Sequence, residues 1–296
     1  MTRHQTLVAL STTPISADLG GALAAHAAIL GIQLTADLPS GIQSPYFSTR
    51  WITSHAFNPE ARVVLRDIAN DHHADLAFLS PSFHPNEIKV LAMDMDSTLI
   101  NIECIDEIAD FTGKKAAVSE ITEATMRGEI KDFKESLRRR VKLLSGVSAS
   151  VLESIYRERL QPNPGAAELL SSAHERGIYT LLVSGGFSFF TEKLRLQFGL
   201  KQTQANTLEI IDGKLTGNVL GEIVDGAAKS AYLEQACKHL GVSKAQAITM
   251  GDGSNDLPMM HGSGLSIAYK AKPLVKEKAD AAFDRVGLDA ALLLLR

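Results

Sequence analysis

The residues best able to do chemistry are two aspartates one position apart, Asp94 and Asp96, in the stretch Lys-Val-Leu-Ala-Met-Asp-Met-Asp-Ser-Thr-Leu-Ile from Lys89 to Ile100. The apolar run Val90 to Met93 reads as a buried strand, and the acids stand where it would emerge at its carboxyl end. In open parallel α/β sheets, ligands bind at that edge. Alone, an Asp-x-Asp pair reads equally well as an acidic turn, so its meaning depends on the later strand ends. Two of them are unusual: Ser184-Gly185-Gly186 follows the strand-like Ile178 to Val183, and Gly251-Asp252-Gly253-Ser254-Asn255-Asp256 follows Ala247 to Met250. A serine and two glycines in a turn at a helix start can offer a hydroxyl and open N–H groups, which suits phosphate. Lys229 joins the same edge. It shares the apolar face of Tyr232, Leu233, Ala236 and Leu240, on a helix running antiparallel to the Ala247 to Met250 strand, so its first turn lies beside the strand ends.

Asp94, Asp96, Asp252 and Asp256 cannot gather as bare anions, since like charges ~4 Å apart repel by about 4 kcal/mol at an effective dielectric of about 20. A hard cation resolves this. Carboxylate, carbonyl and water ligands suit Mg²⁺, which also bridges to phosphate. An EF-hand type of Ca²⁺ loop is excluded because the acids come from separate loops.

The elements that must position these residues follow from periodicity. Helices over Ala166 to Arg176, Phe187 to Phe198, Lys229 to Leu240 and Pro273 to Lys278 alternate with strands, including Leu265 to Ala268 and Ala281 to Phe283. That alternation implies a mainly parallel sheet covered on both faces. Asp212-Gly213 between Ala205 to Ile211 and Lys214 to Leu220 marks a hairpin. From Ile105 to about Ile155 the chain is helical throughout, broken only at Gly113, Gly128 and Gly146. Four helices exceed what a crossover needs, so they read as a cap inserted over the strand edge. In the third, Phe133, Leu137, Val141 and Leu144 form the apolar stripe and Arg140 shares it, whereas Arg138 and Arg139 point elsewhere. A buried arginine needs an anion, either a cap carboxylate or a ligand. Residues 1 to about 85 read as a small βαββαβ unit: strands at Leu7 to Leu10, Ile32 to Leu38, around Trp51-Ile52 and at Ala74 to Leu79, helices at Ala17 to Leu30 and Pro59 to Ala69, and a loop over Pro39 to Ser48. The two prolines of Ser80 to Asn86 then make a linker.

Composition narrows the partners. The 296 residues carry a net charge of −4 with no basic stripe, which gives no electrostatic case for nucleic acid and favours a small-molecule partner. Cys104 and Cys237 form neither a disulfide framework nor a Cys-x-x-Cys site, and the nine histidines are scattered. The common nucleotide-loop and serine-hydrolase signatures are absent. The start lacks the apolar core of a secretory signal and no run approaches the roughly 18 to 20 residues of a membrane span, so a cytoplasmic protein with no membrane partner is expected.

Asp94-Met-Asp-Ser-Thr, Ser184-Gly-Gly, Lys229 and Gly251-Asp-Gly-Ser-Asn-Asp together resemble the four motifs of the haloacid-dehalogenase-like phosphotransferases. Within that superfamily, Asp-x-Asp-Ser-Thr, the segment from Glu103 through Met126-Arg-Gly to Phe133-Lys-Glu-Ser-Leu-Arg-Arg-Arg-Val, and Val183-Ser-Gly-Gly-Phe closely resemble the phosphoserine phosphatases. The likeness runs from residue 89 to about 285. It implies a Rossmann-like, doubly wound, mainly parallel sheet over residues 86–296 with a helical cap at about 104–160. Residues 1–85 loosely resemble ACT-type domains, which implies a regulatory or dimerisation unit and a homodimer built through it.

The implied reaction is hydrolysis of O-phospho-L-serine to L-serine and phosphate, the last step of serine biosynthesis. Asp94 would be the nucleophile, forming an aspartyl-phosphate, and Asp96 the acid and base. The resemblance gives Mg²⁺ the carboxylates of Asp94 and Asp252 and the main-chain carbonyl of Asp96, with Asp256 orienting these groups from behind. Lys229, Ser184 and Gly185 would hold the phosphoryl group and Asn255 would touch substrate or phosphate. Glu103 would pair with the substrate ammonium and Arg140 with its carboxylate, with Met126 and Phe133 as an apolar wall. The alternative is a phosphotransferase or a phosphatase for another small monoester such as phosphohomoserine or phosphothreonine.

Overall fold

The computed structural model describes residues 4–37, 45–126 and 129–295. Most of the loop expected over Pro39 to Ser48 lies outside them, as do Arg127, Gly128 and the side chain of Met126.

Among the described residues, eleven strands form one sheet in the order β2-β3-β1-β4-β11-β10-β9-β5-β6-β7-β8. All four residues of β5 (Val90–Met93), an interior strand of that sheet, are buried. On one side β5 pairs in parallel with β6 (Tyr179–Phe187), and on the other with β9 (Ala247–Gly251); Met93 lies opposite both Leu182 and Met250. β10 (Leu265–Tyr269) and β11 (Ala281–Phe283) continue the parallel set beyond β9. The three strand ends singled out from the sequence are therefore adjacent, on both sides of the point where the chain reverses its direction of winding. That is where a doubly wound sheet opens a crevice.

The first 85 residues follow the expected pattern: β1 (Gln5–Ser11), α1 (Ala17–Ile29), β2 (Thr35–Asp37), β3 (Phe47–Thr53), α2 (Pro59–Asp71) and β4 (Asp75–Leu79). Their strands extend the main sheet, because β4 pairs antiparallel with β11. This explains why β1 and β4 read as continuous apolar runs rather than alternating ones. Leu7, Ala9, Leu76 and Phe78 pack under α1 and α2, while Val8, Leu10, Ala77 and Leu79 belong to the core shared with β5 and the cap. The contact is also polar. The buried Asp75 accepts N–H bonds from Asp284, Arg285 and Val286, and Arg66 donates to the carbonyls of Lys276, Ala279 and Asp280.

Between β5 and β6 come the four cap helices α3 (Cys104–Phe111), α4 (Lys115–Met126), α5 (Phe133–Leu143) and α6 (Ser150–Glu158), then α7 (Ala166–Glu175). The cap is held by the hairpin of β7 (Gln202–Ile211) and β8 (Lys214–Leu220). Gly146 N–H donates to the Leu215 carbonyl, Leu215 N–H to Val147, and Ala149 N–H to Gly213. The hairpin turns at Asp212 (φ 50) and Gly213 (φ 71), both left-handed, as a two-residue connection of this kind requires.

The structure corrects one expectation that matters for the site. Ser184-Gly185-Gly186 is not a turn at a helix start. β6 continues through it to Phe187, with a slip in its register against β7, and α8 (Ser188–Phe198) begins only afterwards. Glycines let a strand bulge and resume where bulkier residues would end it.

Candidate active site

Asp94 is the first residue beyond β5. Its N–H makes the last rung, to the Met250 carbonyl, and its Oδ1 accepts from Met95 N–H at 2.7 Å and from Lys229 Nζ at 2.8 Å. The chain then coils tightly over Met95–Leu99, with Ser97 in the left-handed region (φ 55). A non-glycine residue in that conformation is strained and persists only where its surroundings hold it. Here Ser97 N–H donates to the Ile102 carbonyl and its hydroxyl to Glu103 Oε1 at 2.6 Å, while Asn163 Nδ2 donates to the carbonyls of Thr98 and Ile100. The coil brings Asp96 back toward α3, where its Oδ1 accepts from Cys104 N–H at 3.2 Å. A Cβ on Gly186 would lie 2.4 Å from Asp96 Oδ2, so this glycine is required by the approach of β6 to the acid.

Lys229 extends from α9 (Gly226–Leu240), whose amino end is capped by Asp225 accepting from Ala228 N–H. The cap residue starts the helix earlier than expected and moves Lys229 into its second turn. Its ammonium is fully buried and bonds Asp94 and, at 2.7 Å, Asp256 Oδ1. Asp256 Oδ2 takes the Gly253 N–H at 3.0 Å, and a Cβ on Gly251 would fall 2.4 Å from its Cγ. Burial alone would lower the Lys229 pKa, but Asp256 and Asp94 outweigh it and hold the lysine protonated.

One carboxylate oxygen from each of Asp94, Asp252 and Asp256 lies within 4.8 Å of the other two. Asp96 is outside this trio and Asp256, expected only behind it, is inside. Two of the three, Asp94 and Asp256, share the buried Lys229 ammonium. Burial and then the Asp256 charge push Asp94 well above the ordinary carboxylate range, although Lys229 opposes this, and push Asp252 up to about 7. Burial and then Glu103 push Asp96 up to about 7. Excess negative charge on an all-oxygen donor set fits a hard divalent cation. Asp252 is steadied through its carbonyl, which accepts the N–H of Lys272 at 3.0 Å.

The cap supplies the opposite wall. Arg140 is half-buried on α5 and its Nε is enclosed without a partner, while Arg138 and Arg139 are exposed. Burial lowers its pKa and the acids around it, first Asp106, then Glu103 and Asp96, oppose that. Glu103 stands exposed at the amino end of α3. Phe133 closes on the bulge of β6, where a Cβ on Gly185 would lie 3.0 Å from its Cζ. Asn255 is half-buried in the loop after β9. Cys104 is buried, its thiol pushed well above the usual range by burial and then Asp96, which fits a packing role.

Sequence reasoning missed Ser97, Asn163 and Asn206. Ser97 carries its signal in backbone geometry, Asn163 lies in a Pro-Asn-Pro run that reads only as a break, and Asn206 is one of several polar residues in its strand.

A family model for haloacid dehalogenase-like hydrolases matches residues 91–261. The chain belongs to this family. It is 53% identical over 221 residues to a phosphoserine phosphatase of Polaromonas sp., a match that covers 73% of this chain and 94% of that one. Among solved structures, a hydrolase of the same family from Salmonella enterica serovar Typhi superposes with a TM-score of 0.84 at 29% identity, over 99% of this chain and 98% of that one. An unliganded probable phosphoserine phosphatase from Vibrio cholerae gives 0.78 at 31% identity, over 98% and 86%. This haloacid dehalogenase-like hydrolase has among its described residues no helix long and apolar enough to cross a membrane.

Proposed function

We propose that the protein is a Mg²⁺-dependent phosphoserine phosphatase of the cytoplasm. The observation that carries the reading is the buried Asp94 joined to Lys229 at the centre of three strand ends, faced by a cap that presents Glu103 and Arg140. Phosphoserine's amino-acid end carries an ammonium and a carboxylate, and a carboxylate and a guanidinium are the complementary pair. The naming of the Polaromonas relative supports the same substrate.

In this reading the Asp94 carboxylate attacks phosphorus and the bond to the serine oxygen breaks. That oxygen takes the proton of Asp96, whose raised pKa leaves a large protonated fraction near neutrality. Asp96, now a carboxylate, removes a proton from water, which attacks the aspartyl-phosphate and releases phosphate and Asp94. Lys229, the Ser184 hydroxyl and the Gly185 N–H hold the phosphoryl oxygens, and Phe133 closes the cleft above them. Mg²⁺ held by the carboxylates of Asp94 and Asp252 and the Asp96 carbonyl would offset negative charge on the phosphoryl group. Asp256 keeps Lys229 and the Gly253 loop in place, and Asn255 contacts the phosphate side.

The first 85 residues serve, in the same proposal, as an ACT-like unit that pairs two copies of the chain; sedimentation of the full chain with and without L-serine tests this, and a monomer indifferent to serine would refute it. The substrate assignment is tested by phosphate release from O-phospho-L-serine, phosphothreonine, phosphohomoserine and sugar phosphates, with and without Mg²⁺. Preference for phosphoserine is expected. A higher kcat/KM for another ester, or transfer to added homoserine in place of release, would overturn it.

A further inference from the structure

Asn206 is 1% exposed in the middle of β7, and its amide is used at both ends. Nδ2 donates to the Gly185 carbonyl at 2.8 Å, and Oδ1 accepts the Val224 N–H at 2.9 Å. The first partner lies in the bulge of β6. The second lies immediately before Asp225, the cap of the helix that carries Lys229. The sheet ladder slips at this point: Val183 lies opposite Gln204, yet Phe187 lies opposite Asn206, so β6 advances four residues while β7 advances two. A strand carbonyl displaced by such a slip loses its rung and needs another donor. Asn206 supplies that donor from a side chain.

The consequence reaches the phosphate cradle. The Gly185–Gly186 peptide is held from both sides, its carbonyl by Asn206 and its N–H by Ser184 Oγ at 2.8 Å. A hydroxyl that accepts this N–H keeps its own proton for donation to another acceptor. Rotation of the peptide would break both bonds at once.

We propose that Asn206 is a positioning residue for phosphoryl transfer: it fixes the Gly185–Gly186 peptide, thereby aims the Ser184 hydroxyl and the Gly185 N–H, and sets this cradle in register with the helix of Lys229. The inference rests on the phosphatase reading and deepens it. Neither bond of Asn206 reaches Glu103 or Arg140, so its influence falls on the phosphate end of the substrate. A residue needed only to fill the core would show no such division.

The test compares wild type with Asn206→Asp, which keeps the shape and the acceptor but faces Gly185 with a second oxygen, and Asn206→Leu, which removes both bonds. For each, kcat and KM for O-phospho-L-serine are measured with Mg²⁺, together with the inhibition constants of orthophosphate and of L-serine. Misplacement of a reacting group on the order of 1 Å costs ~100-fold. Asn206→Asp is therefore expected to lower kcat and weaken orthophosphate by about 10-fold or more, and to leave L-serine inhibition nearly unchanged. Equal weakening of both inhibitors, or no change in either, would overturn the proposal. Should neither variant fold, wild type labelled with [15N]glycine decides. Orthophosphate and Mg²⁺ should shift the Gly185 amide and slow its exchange, and leave the Gly186 amide protected as before; the reverse pattern would overturn it. If wild type does not hydrolyse O-phospho-L-serine, the substrate assignment fails, and the orthophosphate and glycine measurements still judge Asn206.

Discussion

The floor of the site and its cap are built on different principles. On the floor, Asp94, Lys229 and Asp256 form an unbroken buried chain of charges, each with a partner 2.7–2.8 Å away. In the cap, Arg140 has an enclosed Nε without a partner, and Glu103 is exposed with Ser97 as its hydrogen-bond donor. In the proposed function the difference separates chemistry from recognition. Groups that act on phosphorus are fixed before substrate arrives, which saves reorganisation during reaction. Groups that read the amino-acid end keep hydrogen-bonding capacity that the substrate can fill.

Substitutions should split along the same line. Asp94→Asn removes the proposed nucleophile and is expected to lower the rate on the order of 10⁴-fold or more in single-turnover assays; wild-type turnover would break the account of the floor. Lys229→Met strands Asp94 and Asp256 without their shared cation. Removing one partner of a buried pair costs about 3–5 kcal/mol, so a lower melting temperature should accompany the loss of activity, and an unchanged melting curve would show that the chain of charges is not what holds the floor. In the cap, Arg140→Ala should raise KM for phosphoserine by roughly 10- to 100-fold, the value of a charge-assisted hydrogen bond, while hardly changing an uncharged aryl phosphate. Equal losses would dissolve the distinction between the two regions.

A smaller effect links them. Asp96 is pushed up to about 7 by burial and then by the Glu103 charge. Its protonated, donating form prevails below that pH and is lost as pH rises through it. Glu103→Gln removes the repulsion, lowers the Asp96 pKa and should move the alkaline fall of kcat to lower pH. A shift the other way would remove Asp96 from the acid's role. The smallest change is expected from Lys134→Ala, because its 3.3 Å pair with Asp225 joins α5 to the floor through half-exposed groups. Such a pair is worth ~0–1 kcal/mol, so the melting temperature should move by no more than a few degrees.

The sequence made the floor more legible than the cap. Asp94, Asp252 and Lys229 announced themselves because charged residues at the ends or on the apolar faces of regular elements contradict their surroundings. Arg140 was found by the same argument, from an apolar stripe at helical spacing. The membership of the carboxylate trio was not readable, since Asp96 and Asp256 differ only in where a coil and a short turn aim them. The Ser184-Gly-Gly bulge looks like a turn in sequence because glycine pairs punctuate both turns and irregular strands, and only pairing with β7 separates the two. Asn206 was invisible for the same reason, its partners being 21 and 18 residues away.

Stereochemistry at phosphorus tests the central claim most directly. Phosphoserine made chiral at phosphorus with oxygen isotopes or sulphur, hydrolysed in isotopic water, reports how many displacements occur. Two in-line displacements, first by Asp94 and then by water, predict net retention of configuration. Net inversion would mean that water attacks the substrate directly, and would contradict the assignment of Asp94 as nucleophile.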